Sequence, residues 1–81
     1  MQENKQEFLN KLCELLRMTR SLGMGNALKE IRYVKSEYGE VARPIFEDGT
    51  GADGCYDVNI SGDSCIAILS DVVRQFVRRV W

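Results

Sequence analysis

The stretch Ala27-Leu28-Lys29-Glu30-Ile31-Arg32-Tyr33-Val34-Lys35-Ser36-Glu37-Tyr38-Gly39 decides the fold, because it can be read in two ways. Leu28, Ile31, Val34 and Tyr38 nearly satisfy a helical period, with Asn26 as an N-cap and Gly39 beyond the end. Against this, Ile31, Tyr33 and Val34 are strand formers, and Glu37-Tyr38-Gly39 has the character of a hairpin turn. The neighbouring elements favour the strand. Amphipathic helices lie on both sides, and one strand pair alone would give them too little sheet to cover.

The first helix is expected over about residues 4–22, where Phe8, Leu9, Leu12, Leu15, Leu16 and Leu22 recur at spacings of three and four. Lys11, Glu14, Arg17 and Ser21 fall opposite, Glu7 and Lys11 are spaced for an i,i+4 pair, and Gly23 and Gly25 end the element. The last helix is expected from Asp63 to Val80. Its stripe is Ile66, Leu69, Val72, Val73, Phe76, Val77 and Val80, with Asp71, Arg74, Gln75 and Arg78 on the other face. Ser61, Gly62, Asp63 and Ser64 offer N-caps.

Between them, Tyr56-Asp57-Val58-Asn59-Ile60 alternates as a half-buried strand, with Tyr56, Val58 and Ile60 on one face. Glu40 to Glu47 also reads as a strand, and Pro44 within it calls for an edge position or a bulge, since proline donates nothing to a ladder. The expected fold is a single small α+β domain over residues 1–81. Its order is α-β-β-β-α, with a three-stranded antiparallel meander and two amphipathic helices on one face.

Composition limits the chemistry. The chain has 81 residues, 11 basic against 12 acidic, three cysteines and no histidine. The commonest general base and metal ligand is missing, so serine–histidine and cysteine–histidine pairs cannot form within the chain. Cys13, Cys55 and Cys65 have no CxxC spacing; Cys13 and Cys65 fall in apolar helical stretches and read as small buried hydrophobes. Free thiols suit a reducing cytoplasm. Met1 to Glu7 is polar, unlike a secretory signal, and no apolar run reaches the roughly 18 residues of a membrane span.

Gly49-Thr50-Gly51-Ala52-Asp53-Gly54 matches G-x-G-x-x-G, but a strand follows it rather than the helix that dinucleotide binding needs, so a hairpin loop is expected. As a calcium loop beginning at Asp48 it would place Ala52 and Asn59 where ligands belong. Asp57, Asp63 and Asp71 read as structural carboxylates: a strand's polar face, a cap, and a surface partner for Arg74. Neither a cofactor nor a metal is expected. Arg74, Arg78, Arg79 and Trp81 form a basic, aromatic C-terminus, which Arg17 and Arg20 would extend if the first helix ends nearby. They are the candidate interaction patch.

From Tyr56 to Val73, a strand ending in Val58-Asn59-Ile60 and a Gly62-Asp63-Ser64 turn lead into an apolar helix. This third of the chain resembles small uncharacterised proteins carried by bacterial conjugative elements and prophages. The resemblance implies a bacterial cytoplasm and brings no activity. The functional expectation is therefore a non-catalytic protein-interaction or self-association module, binding another protein or itself as a homodimer. A strand edge near Pro44 or an uncovered sheet face would be its surface. The alternative is a nucleic-acid-associated accessory protein using the arginines, which near-neutral net charge disfavours. An enzyme and a membrane partner are not expected.

Overall fold

Leu9, Leu12, Cys13 and Leu16 fall at i, i+3, i+4 and i+7, and a helix that lines them up must bury that line against something. In the computed structural model, which describes residues 2–19, 27–62 and 64–80 (the side chains of 2–4, 19 and 80 aside), they pack on a sheet. The elements are α1 (Gln2–Thr19), β1 (Leu28–Ser36), β2 (Gly39–Phe46), β3 (Val58–Asn59), α2 (Cys65–Val72), a π-helical segment (Val73–Val77) and α3 (Arg78–Val80). The last three form one C-terminal helical run. The fold is α+β: helix, three-stranded antiparallel sheet in the order β1-β2-β3, then the C-terminal helix. Leu22, the Gly23/Gly25 stop, Arg20, Ser21, the Asn26 and Asp63 caps and Trp81 lie outside the described residues.

The ambiguous stretch is β1, paired with β2 from Leu28↔Phe46 to Ser36↔Gly39 across the Glu37-Tyr38 turn. Its register shifts between Leu28 and Glu30. In a regular strand, residues three apart face opposite ways; the extra residue at this bulge returns Leu28 and Ile31 to the same buried face. Both join Ala42, Phe46, Val58, Ile68, Val72 and Phe76 and the α1 line in one core cluster, so both helices cover one face of the sheet. Tyr56 and Ile60 pack against that core as the alternation requires, but the ladder of β3 is only two residues long.

Pro44 needs a correction of position. It lies in the central strand, not at an edge. The even-numbered residues of β2 turn their backbone groups towards β3: the Glu40 carbonyl accepts from the Ile60 N–H (3.0 Å), and the Phe46 N–H donates to the Thr50 carbonyl (2.8 Å). Pro44 lies between these two bonds, beyond the Val41 and Ala42 pairings where β3 stops. Its missing N–H thus faces a gap in the ladder, which is an edge in local terms.

Lys5 is buried on α1, ion-paired to Glu40 of β2, with its ammonium 5.6 Å from the centre of the Tyr33 ring. This cation fastens the first helix to the sheet. No helix among the described residues is long and apolar enough to cross a membrane.

Candidate functional site

The C-terminal helical run carries most of the predicted site. It starts at Ser64, whose hydroxyl oxygen accepts from the Ala67 N–H (3.1 Å), an ordinary N-cap. The face it buries is rotated from the expected one: Val72, Phe76 and Val77 of the expected stripe face the core, joined by Ile68, but Ile66, Leu69 and Val73 do not. Ile68, Val72 and Phe76 are sealed in the core, while Ile66 is 81%, Leu69 41% and Val73 38% exposed. The buried residues are four apart, and each step of four in an α-helix overshoots a turn by about 40°. The π-turn from Val73 to Val77 winds more slowly and keeps Phe76 over the core. Cys65, expected inside, is exposed with the outward stripe. Cys13 is buried as expected, and desolvation raises its thiol pKa.

Asp71 pairs with Arg74 as expected, but not at the surface. It is 2% exposed, and its carboxylate accepts from the Ser61 N–H (2.9 Å), the Ser61 hydroxyl (3.0 Å) and Arg74 Nη2 (2.6 Å). A peptide N–H just past the end of β3 has no strand partner, and the helix supplies a charged acceptor. The Ser61 N–H chiefly, with the Ser61 hydroxyl and Arg74, holds the carboxyl below its ordinary pKa against the opposing effect of burial. The unfolded chain therefore binds more protons in that window. This stabilisation is complete above the unfolded pKa of about 3.9 and is lost as pH falls through the lower folded value. Asp71→Asn is expected to cost about 1–2 kcal/mol near neutral pH. Urea unfolding should find that gap closing in strong acid; an equal gap at both pH values would contradict the assignment.

Of the proposed patch, Arg74, Arg78 and Arg79 are all exposed, and Arg74 is also paired with Asp71. Arg79 also borders a cleft of about 220 Å³ with Cys55, Tyr56, Asp57, Gln75 and Phe76. The cleft is smaller than pockets that hold drug-sized molecules. Its polar lining is largely engaged: Asp57 takes a two-pronged ion pair from Arg43 (3.0 and 3.1 Å), and Gln75 bonds Asn59. The Cys55 thiol is pushed up by desolvation and then by Asp53 beside it, which leaves little nucleophilic thiolate.

The glycine-rich segment joins β2 to β3 as a run of tight turns, with Gly49, Gly51 and Gly54 at positive φ. Asp48 and Asp53 accept from Thr50 N–H and Cys55 N–H inside it. This is a hairpin loop, as its context implied. No group of three or more metal-ligating side chains occurs among the described residues.

The other side-chain pattern is one the sequence reading did not find. All the large exposed apolar side chains among the described residues except Tyr38, at the hairpin turn, lie on the helical layer: Leu15 and Met18 of α1, then Ile66, Leu69 and Val73. The outer sheet face instead carries Arg32, Arg43 and Glu30, with Val34 and Val41 half-buried between them. A scan of protein-family models finds no match to the chain, and searches of curated proteins and of solved structures find none either.

Proposed function

We propose that the chain is a small non-catalytic interaction module that associates with a second copy of itself through its helical layer. The observation that carries this reading is the placement of Leu15, Met18, Ile66, Leu69 and Val73 on that layer, exposed to water. Ile66, Leu69 and Val73 stand at i, i+3 and i+7, the spacing of anchors that seat on a helix. The α1 patch is bordered by charges of both signs, Lys11 one turn before Leu15 and Glu14 one turn before Met18, while Arg74 and Arg78 border the other stripe. A second copy is favoured by the presence of two apolar patches on the one helical layer, each able to cover the other's counterpart. A two-fold contact that sets α1 of one protomer against the C-terminal helix of its partner uses both patches twice and closes.

Nucleic acid is the weaker reading, since Arg74 is already held by Asp71 and net charge is -1. Three free thiols fit a cytoplasmic setting, in keeping with the resemblance to proteins of bacterial mobile elements. Light scattering behind size exclusion, over a wide concentration range, tests the proposal. The mass should rise from one chain to two, and Ile66→Ser with Leu69→Ser should hold it at one with an unchanged circular dichroism spectrum. A monomer throughout, or a dimer indifferent to these substitutions, would overturn it.

A further inference from the structure

The sheet has two edges, β1 and β3, and a glutamine from a helix sits on each. Gln6 of α1 accepts from the Tyr33 N–H (2.8 Å) and donates to the Ile31 carbonyl (3.0 Å). Gln75 of the π-helical segment accepts from the Asn59 N–H (2.9 Å) and donates to the Asn59 carbonyl (3.0 Å). Each side-chain amide presents one acceptor and one donor to the outward backbone groups, as the next strand would. The fixed backbone partners also fix which end of each amide is oxygen. Gln6 spends another bond on Asn10 (2.9 Å), one turn along α1, which holds the amide in place.

From these bonds we infer that Gln6 and Gln75 are surrogate strands that withhold both sheet edges from pairing with a second copy of the chain. An open edge is a template for another strand, and the nine-residue β1 is the longer hazard here. With Gln6 removed, β1 of one molecule is free to pair with β1 of another at Ile31–Tyr33 and extend one sheet through both. This goes beyond the helical-layer reading and rests on none of its residues.

Amide hydrogen exchange followed by NMR tests it, in the Ile66→Ser, Leu69→Ser background so that the helical layer cannot supply the association. In that parent, the Tyr33 and Asn59 amides should be protected although both lie on sheet edges. Gln6→Leu should speed exchange at Tyr33 about tenfold in dilute solution and leave Asn59 alone, while Gln75→Leu does the reverse. On concentration, the Gln6→Leu protein should double in mass and regain protection at Tyr33. Unprotected Tyr33 and Asn59 amides in the parent, a reading that needs no folded Gln variant, would overturn the inference. So would a Gln6→Leu protein that stays monomeric at every concentration.

Discussion

Phe76→Ala is expected to remove about 3–5 kcal/mol of stability, enough to leave an 81-residue domain close to unfolding. Phe76 is fully buried and is one of three rings that meet where separate parts of the chain converge. Phe46, at the end of β2, lies 6.1 Å from it, and Tyr56, at the end of the glycine-rich loop, lies 6.4 Å away; Phe46 and Tyr56 are 5.8 Å apart. Truncating Phe76 leaves a void that neither neighbour can close without pulling a strand or loop out of place. Phe76→Leu keeps most of the volume and should cost roughly half as much or less. Urea midpoints at unchanged m-value provide the measurement. An alanine variant within about 1 kcal/mol of the parent would mean that the π-turn does not fix this ring in the core.

The same helix shows where periodicity stops being informative. In α1 the expected stripe is met at Leu9, Leu12 and Leu16, which are buried. Leu15, counted with it, is 59% exposed, because the apolar residues span more of the helix than the sheet covers. From Cys65 to Val73 nearly every residue is apolar, and two lines compete: Ile66, Leu69, Val73 and Ile68, Val72, Phe76. Periodicity cannot choose between them. Packing against β2 and β3 chooses the second, helped by a π-turn that no composition rule signals. Asp71 follows from that choice, because the rotated face carries it inward to a backbone N–H ten residues earlier.

The strand–helix ambiguity of residues 27–38 also has a structural origin. Leu28 and Ile31 share a face at a helical spacing because a bulge separates them, and a bulge is invisible to a period-two count. Tyr38 completes the helical fit only in appearance, as it is 91% exposed at the turn. The edge caps were hidden for another reason. Gln6 and Gln75 are polar residues on helices, and nothing local tells such a side chain from a solvated one. Their role depends on which strand the fold brings alongside. Of the predicted arginine patch, Arg74, Arg78 and Arg79 lie at the surface, and the expected Arg74–Asp71 pair forms; what the spacing could not show is that Asp71 is buried.

Gly51→Ala should be the most damaging small substitution in the loop, costing roughly 3 kcal/mol or more, whereas Gly49→Ala should cost only about 1–2 kcal/mol. Both glycines have nearly the same backbone conformation, φ +94° and +92°, which a side chain adopts only under strain. They differ in what a Cβ would meet. At Gly49 there is nothing within 4 Å; at Gly51 the Cβ would overlap the carbonyl oxygen of Pro44. That contact is backbone against backbone, so no rotamer change relieves it. It arises because β3 stops short of Pro44 and the loop folds back into the vacated place, held by the Phe46–Thr50 bond. Gly51 thus lets the chain close over a proline that offers no N–H to a neighbouring strand. For a domain this size the Gly51→Ala loss corresponds to a melting temperature lower by roughly 12–24 °C, against about 4–16 °C for Gly49→Ala. Equal losses at the two positions would show that backbone conformation alone sets the cost and that the close approach to Pro44 does not hold in solution.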